Sequence, residues 1–326
     1  MTLPRDLSDR LSLPLIAAPM FLVSGPDLVV EACRAGVVGA FPTVNCRTTE
    51  ELDAWLQEMA QRLDAAEQQS GRQSAPVCPN VLVHPSNVRR DADVRVLVAR
   101  GVQLVIASVG NPAPVIPALH DAGCKVYADV ATLRHAEKAI AAGSDGLVLL
   151  TAGAGGQPGW ANPFAFVRAV RVMWDGPIVL AGGISDGRAL FAARALGCDL
   201  AYMGTRFIAT RESLAPARYK DMLVSSRLDD VLLTKAMTGL ETNLLRPSLK
   251  AAGLDPDNLP TRGSIDVAKD IDRGAREQAA ASGTRRWKDI WSAGHSVSGV
   301  ADVPLVAELV ARTADEYVKA RREAAA

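Results

Sequence analysis

The chain has no dominant charge and few aromatic side chains. Its 36 Lys and Arg residues equal its 36 Asp and Glu residues in number, and Phe, Trp and Tyr make up only 5% of the sequence. Nucleic-acid-binding domains usually carry a basic surface, and proteins that bind single strands stack the bases on aromatic rings. We therefore expect no nucleic-acid partner.

The sequence also lacks CxxC motifs and long apolar runs. The five cysteines are an odd number without CxxC spacing, a pattern typical of reduced, buried thiols in a cytoplasmic protein. No apolar run reaches the roughly 20 residues that a transmembrane helix needs, and the first residues do not resemble a signal peptide. The sequence therefore predicts a cytoplasmic protein with no membrane partner, as a monomer or a homodimer.

Apolar segments alternate with helical segments along the first 226 residues. The predicted strands, which are typical of strands buried on both faces, span residues 14–20, 38–44, 77–83, 102–109, 125–130, 146–151, 177–182 and 200–207. Such alternation indicates a parallel sheet. A doubly wound sheet usually has a glycine fingerprint after its first strand, and none is present there. We therefore predict an α/β fold, a (β/α)8 TIM barrel over residues 1–226.

The alternation stops after the barrel segment. Residues 227–300 contain helix-like pieces at 229–241 and 266–280 separated by turn signals, and residues 301–326 form an amphipathic pattern with basic residues at its end. We predict a helical lid and substrate subdomain over 227–300. The final segment, 301–326, is predicted to be a helix that packs back on the barrel.

Glycines stand at the ends of the last two predicted strands. Gly182 and Gly183 follow the seventh strand, and Gly204 and Thr205 follow the start of the eighth. In TIM barrels, the loops after strands seven and eight commonly bind phosphate, because bare backbone N–H groups can approach the anion. These residues therefore predict a phosphate site.

The other strand ends have few residues of the types that usually act in catalysis. They show no HxH motif, no paired carboxylates, no lysine and no GxSxG motif, which argues against a metal site, a Schiff base or a serine nucleophile. A phosphate site beside small, apolar and amide residues suits a cofactor whose own ring reacts, and FMN fits best. A phosphorylated substrate would fit the same glycines.

Five motifs give the chain a family resemblance. They are LIAAPM (15–20), AGAGGQPG (152–159), LAGGISDGRAL (180–190), AYMGTRFIATRES (201–213) and WSAG (291–294). With these motifs the chain resembles the nitronate monooxygenases, formerly called 2-nitropropane dioxygenases, and their flavin-dependent enoyl reductase relatives. The resemblance covers nearly the whole chain and implies a barrel that binds FMN.

The resemblance and the residues at the ends of the predicted strands together predict the cofactor site. Positions that match the family's cofactor contacts are Met20, Asn80, Gly182, Gly183, Met203, Gly204 and Thr205, and Ala18, Pro19, Asp129, Gly155 and Gly156 lie at or after neighbouring strand ends. Three further side chains are candidates for the substrate pocket, namely His84, Trp160 and His295.

Two positions depart from the family pattern and are the candidate catalytic residues. Gln157 stands where the family usually has its catalytic histidine, and Asp129 stands where a lysine is often found near the flavin. Glutamine can form hydrogen bonds but cannot take a proton at neutral pH. A nitronate is already an anion, so its oxidation does not require the missing base.

Three functions fit these observations. The first is an FMN-dependent oxidation of alkyl nitronates with O2, as the resemblance implies. The second is an FMN reductase or dehydrogenase that takes electrons from NAD(P)H and acts on a quinone, an enoyl thioester or a coenzyme A thioester. The third is a non-redox isomerase or synthase that acts on a phosphorylated substrate. All three imply a small-molecule substrate.

Overall fold

Eight parallel strands form a closed barrel in the computed structural model, which describes residues 3–237, 239–259 and 290–326. Neighbouring strands follow chain order, and β8 pairs with β1 to close the barrel. The strands are β1 (Leu15–Ala17), β2 (Val38–Pro42), β3 (Val77–Leu82), β4 (Leu104–Ser108), β5 (Lys125–Val130), β6 (Gly146–Leu150), β7 (Ile178–Ala181) and β8 (Leu200–Met203). The predicted TIM barrel is therefore confirmed.

Helices surround the barrel. They are α1 (Arg5–Ser8), α2 (Pro26–Arg34), α3 (Thr49–Ser70), α4 (Arg90–Ala99), α5 (Ile116–Asp121), α6 (Leu133–Ala141), α7 (Pro163–Met173), α8 (Gly187–Leu196), α9 (Thr205–Ile208), α10 (Ala217–Ser225), α11 (Arg246–Ala251) and α12 (Val306–Glu323). Local sequence sets several ends. The Asp186 carboxylate accepts a hydrogen bond from the Ala189 N–H at the start of α8, and Gly197 ends that helix at a φ of 112°.

Alternation along each strand divides the apolar core into an inner and an outer layer. In β8, Leu200 and Tyr202 belong to the cluster inside the barrel, whereas Ala201 and Met203 belong to a cluster between the strands and the helices. This follows from the two-residue period of a strand. The inner layer forms the floor beneath the carboxyl ends of the strands.

The segment after β8 is helical rather than extended. The prediction of a strand over 200–207 was wrong in its second half, because α9 begins at Thr205 after Gly204 and the Ile208 N–H donates to the Gly204 carbonyl at 3.0 Å. The turn brings Thr205 to the carboxyl end of the barrel.

A β-hairpin replaces the predicted helix over 229–241. Strands β9 (Val231–Thr234) and β10 (Thr242–Leu245) pair in antiparallel fashion, and Gly239 lies between them at a φ of 80°. The Leu245 N–H also donates to the Trp291 carbonyl at 2.8 Å. These tertiary hydrogen bonds override the local helical pattern, as often happens with weak propensities. The other predicted helix, 266–280, lies outside the described residues.

The described part of the lid also contains two short 3-10 turns. These turns are Leu228–Asp230 and His295–Gly299, and a third turn, Thr43–Asn45, follows β2. The hairpin and the segment from Trp291 pack on α10 through apolar contacts. Tyr219 of α10 stacks on Trp291 with ring centroids 5.0 Å apart and planes 11° apart. The lid therefore packs against α10.

All five cysteines are buried thiols. Cys33, Cys78, Cys124 and Cys198 lie in apolar clusters or beside the strands, and burial raises the pKa of Cys33 and Cys198 to about 12. The thiols of these residues therefore stay protonated at neutral pH. Across the residues that the structure describes, no helix combines the length and the apolar character needed to cross a membrane.

The last helix packs in the outer layer against α8 and α2. Val306, Leu309 and Val310 of α12 join the outer cluster, and the Gly187 N–H donates to the Glu316 carboxylate at 2.9 Å. A β-carbon on Gly187 would lie 2.2 Å from the Thr313 carbonyl oxygen. The absence of a side chain at Gly187 is therefore what lets the two helices approach so closely.

We predict that Gly187→Ala separates α8 from α12 and lowers the free energy of unfolding by about 1–3 kcal/mol, the usual cost of overpacking. Denaturant unfolding measures this loss. The neighbouring change Arg188→Ala is the control, because Arg188 is 65% exposed in its ion pair with Glu323. Unfolding midpoints that do not differ between the two variants would contradict this account of the contact.

Candidate functional site

A cavity of about 1390 Å³ opens at the carboxyl ends of the barrel strands. This is the end at which TIM-barrel enzymes carry their active sites. Predicted site positions on its wall are Ala18, Pro19, Met20, Asn80, Asp129, Gly155, Gly156, Gln157, Gly182, Gly183, Gly204 and Thr205. The fold thus brings together predicted residues from six of the eight strand ends or the loops that follow them.

Bare backbone forms the wall at the ends of β7 and β8. Gly182 and Gly183 have φ values of 128° and 77°, which side chains rarely allow. A β-carbon on Gly182 would lie 2.4 Å from Thr151 Oγ1, whereas one on Gly183 would meet no atom within 4 Å. A β-carbon on Gly204 would make ordinary contact, 3.6 Å from the Ala18 β-carbon. A ligand can therefore come close to the backbone at this surface.

Thr205 joins this surface to the lid. Its buried hydroxyl oxygen accepts a hydrogen bond from the Gly294 N–H at 2.9 Å, which leaves the hydroxyl hydrogen to donate. Gly294 ends the WSAG motif, so the motif has a structural role in the site that the sequence did not reveal.

Hydrogen bonds to the lid also fix the glycine-rich loop after β6. The Gly156 N–H donates to Ser292 Oγ at 2.7 Å, and the Asn243 N–H donates to the Gly156 carbonyl at 2.9 Å. The His295 N–H donates to the Gly153 carbonyl at 2.8 Å. The next residue along the loop is Gln157, which is exposed to solvent at the cavity wall. Its amide can therefore reach a ligand in the cavity.

The loops after β1 and β4 contain two left-handed non-glycine residues. Leu22 has a φ of 59° and Val109 a φ of 57°, and both lie on the cavity wall. The Leu22 N–H donates to Asn45 Oδ1 at 2.9 Å, which stabilises this conformation. Strained backbone of this kind concentrates at ligand sites.

Asn80 has a fixed orientation at the end of β3. Its amide nitrogen donates to the Ile106 carbonyl at 3.2 Å and to Ser108 Oγ at 3.0 Å, and the Ser108 hydroxyl can donate back to Asn80 Oδ1 at 3.2 Å. Both side chains are buried on the cavity wall. They present a polar edge that needs no rearrangement to contact a ligand.

Asp129 is a half-buried acid at the end of β5 and points into the cavity. Its Oδ1 is buried and has no hydrogen-bond partner among the described residues. Burial raises the pKa of Asp129 from 3.8 to about 7. The carboxyl therefore holds a proton over much of the range in which other aspartates are ionised.

Tyr202 is a site residue that the sequence analysis missed. Its ring lies on the cavity wall, and its buried hydroxyl has no partner among the described residues. Burial, and then the charge of Asp129, raise the pKa of Tyr202 well above its ordinary value. Successive side chains of a strand point to opposite faces, so Tyr202 and Met203 cannot both point into the barrel. This alternation could have indicated Tyr202 as the residue that faces the cavity.

Four predicted residues do not line the cavity. The side chain of Met203 is fully buried between the barrel and its helices. His84 turns back to Ser86, with Nδ1 2.7 Å from the Ser86 hydroxyl oxygen. Trp160 is 76% exposed, and His295 packs against Gly153 on the solvent side of the loop. In this structure the side chains of these four residues therefore lie away from the cavity, and their predicted roles in cofactor and substrate binding stay predictions.

Residues outside the barrel strands also line the cavity. Lys235 and Glu241 of the hairpin lie on its wall with their charged atoms 3.6 Å apart. On the other side, His135 and Lys138 of α6 belong to the wall together with small alanine residues. The hairpin and α6 therefore give this part of the wall charged side chains.

Known proteins resemble this chain in sequence. A family model described as nitronate monooxygenase matches residues 43–316. A nitronate monooxygenase of Paraburkholderia phytofirmans is 27% identical, with 92% of this chain and 90% of that protein covered. A (3aS,4S,5R,7aS)-5-hydroxy-7a-methyl-1-oxo-octahydro-1H-indene-4-carboxyl-CoA dehydrogenase of Rhodococcus jostii is also 27% identical, with 72% of this chain and 63% of that protein covered.

Solved structures share the fold. Nitroalkane oxidase from Streptomyces ansochromogenes superposes with a TM-score of 0.76 at 26% identity, covering 97% of this chain and 99% of that one. FabK from Thermotoga maritima superposes with a TM-score of 0.78 at 24% identity, covering 98% of this chain and 97% of that one. These likenesses extend over the barrel and over the described part of the lid.

The family match decides between the broad classes of function. It spans most of the chain and includes the loop after β6 and the glycine surface at β7 and β8. An oxidoreductase family gives no support to the alternative of a non-redox isomerase or synthase. The chain therefore belongs to the nitronate monooxygenase family and is a flavin-dependent oxidoreductase that acts on small molecules.

Proposed function

We propose that this enzyme binds FMN and oxidises alkyl nitronates with O2. The observation that carries the proposal is the bare backbone surface formed by Gly182, Gly183 and Gly204 at the ends of β7 and β8. A phosphate fits such a surface because backbone N–H groups can surround it without side chains in the way. The Thr205 hydroxyl adds a donor at the same place.

The rest of the wall suits a planar, partly polar ring. Pro19 and Met20 supply an apolar side, and the fixed Asn80 amide supplies a polar edge. Bound FMN would accept two electrons from the substrate and pass them to O2. The role of the chain is to hold the phosphate, orient the ring and shield the reacting face from bulk water.

Gln157 would orient the substrate rather than exchange a proton with it. Its amide nitrogen can donate a hydrogen bond to a negatively charged nitronate oxygen. A nitronate has already lost the proton that a neutral nitroalkane must give up. The glutamine at this position therefore favours nitronates over neutral nitroalkanes as substrates.

A reductase that uses NAD(P)H is the second candidate, and the size of the cavity favours it. About 1390 Å³ exceeds the roughly 300–1,000 Å³ of a typical small-molecule site. The additional space along α6, with His135 and Lys138 on its wall, could take the long arm of a thioester. The relative from Rhodococcus jostii is named as a dehydrogenase of a coenzyme A thioester.

We predict that Gly204→Ala weakens FMN binding at least tenfold while the protein keeps its stability. The φ of Gly204 is −103°, which alanine adopts easily, and the new methyl group would make only ordinary contact with Ala18. It would still occupy part of the phosphate surface. Fluorescence titration of the flavin-free protein measures the change, with riboflavin, which has no phosphate, as the control ligand.

Equal losses of FMN and riboflavin affinity in Gly204→Ala would contradict a phosphate site at this surface. Unchanged FMN affinity would contradict it as well. A reduced unfolding midpoint would show that the added methyl group disturbs the fold, and Thr205→Val then provides the test, because valine cannot donate to a phosphate. Valine also removes the acceptor for the Gly294 N–H, so the expected result is a larger loss of affinity for FMN than for riboflavin.

We expect an alkyl nitronate to bleach the flavin absorbance of the holoenzyme in anaerobic stopped-flow experiments, whereas NADH and NADPH should not. Admission of O2 should then restore the absorbance. The reverse pattern, with reduction by NAD(P)H and none by nitronates, would contradict nitronate oxidation and support the reductase candidate. Absence of flavin after reconstitution with FMN would contradict both.

A further inference from the structure

Two buried polar atoms on the cavity wall have no partner among the described residues. They are Oδ1 of Asp129, at the end of β5, and the hydroxyl oxygen of Tyr202, in β8. Buried polar groups in folded proteins are almost always hydrogen-bonded. Two such atoms without a hydrogen-bond partner at one cavity therefore require an explanation. A ligand that reaches this part of the cavity would supply the missing partners.

The two side chains are electrostatically coupled. The charge of Asp129 contributes to the raised pKa of Tyr202, and it also raises the pKa of Cys78, which is buried beneath the cavity. Tyr202 and Cys78 are both neutral at physiological pH, because burial raises the pKa of each group still further. Asp129 is therefore the one member of this group of three that can exchange a proton near neutral pH.

Nothing on the described wall neutralises the Asp129 charge. His135, Lys138, Lys235 and Glu241 also line the cavity, but burial is the cause of the raised pKa of Asp129, and none of these four groups opposes it. A cation close by would have lowered that pKa. The site thus contains an acid that gains or loses its proton according to the charge placed beside it.

We propose that Asp129, with Tyr202 on the same cavity wall, is the proton-holding residue of the flavin site. This inference rests on the proposed FMN site. At pH values where Asp129 is ionised, its carboxylate would take up one proton from solvent for each pair of electrons that a substrate delivers, in addition to the one proton that the flavin itself would gain. Two electrons and two protons then enter the cavity, so its net charge does not change.

The physical reason is the low polarity of the cavity floor. Added negative charge in a buried site favours protonation of the nearest acid. Proton uptake by Asp129 can therefore offset the negative charge that is added to the site. A fixed cation would offset that charge by its own positive charge. Tyr202 is a positioning residue in this arrangement, because its hydroxyl stays protonated and can form hydrogen bonds but does not give up its proton near neutral pH.

The reduction potential of the FMN-loaded enzyme, measured from pH 6 to pH 9, tests the proposal. Each proton taken up per two electrons lowers the potential by about 30 mV per pH unit, which corresponds to a tenfold change in the equilibrium constant. In the upper part of this range we expect the wild type to show twice the slope of Asp129→Asn. At pH 6 the two potentials should coincide.

Two further variants serve as controls. Asp121→Asn makes the same chemical change at an exposed position at the end of α5 and should keep the wild-type slope. Tyr202→Phe should also keep the steeper region, although at a shifted pH, because the proton resides on Asp129. A wild-type slope in Asp129→Asn, or loss of the steeper region in Tyr202→Phe alone, would overturn the proposal.

The flavin-free protein gives an independent readout. The pKa of Asp129 is raised on folding, so the unfolded state loses this proton first as the pH rises from about 4 to about 7. The free energy of unfolding of the wild type should therefore fall relative to that of Asp129→Asn over this range. At higher pH the two curves of unfolding free energy against pH should run parallel. Parallel stability curves throughout would overturn the proposal. Failure of the protein to bind FMN would instead overturn the proposed function.

Discussion

A set of hydrogen bonds between backbone groups and small side chains holds the mouth of the barrel in place. Ser292 Oγ accepts from Gly156 and donates to the Asn243 carbonyl at 2.6 Å, and the Asn243 side chain donates to the Ala154 carbonyl at 2.7 Å. Gly294 donates to Thr205 in the same region. The barrel itself holds the start of the loop after β6, where the Thr151 N–H donates to the Ala181 carbonyl at 3.0 Å. These contacts turn a flexible glycine-rich loop into a defined wall of the cavity.

The two ends of the cavity are built by different means. The surface at β7 and β8 consists of backbone, so its shape depends on glycines and on the conformation of the chain rather than on any side-chain rotamer. The region around Asp129 and Tyr202 instead depends on single side chains whose polar atoms are buried without partners among the described residues. A substitution at a glycine would change the first surface by adding atoms, whereas a substitution at Asp129 or Tyr202 would change the second region by removing a polar group.

The sequence predicted the features that depend on local periodicity. Alternating apolar and helical segments indicated the barrel, and Asp186 and Gly197 marked the ends of α8. The glycines after β7 and β8 indicated one face of the cavity because parallel strands end at the same side of a barrel. These inferences need only short stretches of chain and the general geometry of the fold.

Features that depend on distant contacts could not be predicted. Thr205 and Gly294 are 89 positions apart, and no spacing rule connects them. The hairpin was mistaken for a helix because its strands are short and are stabilised by the segment at Trp291. Residue type alone suggested that Trp160 would line the pocket, but a large side chain in a loop can equally lie in solvent, where this one is found.

The buried cysteines have a consequence for the chemical durability of the protein. Peroxides attack the thiolate form of cysteine, and oxidation beyond the first step is not readily reversed. Burial raises the pKa of Cys33, Cys124 and Cys198 to about 12, so almost none of these sulfur atoms is ionised at neutral pH. The proposed reaction with O2 would form oxidants inside the cavity. The thiols of Cys33, Cys124 and Cys198 are buried in the barrel and stay protonated, so they would react slowly with such oxidants.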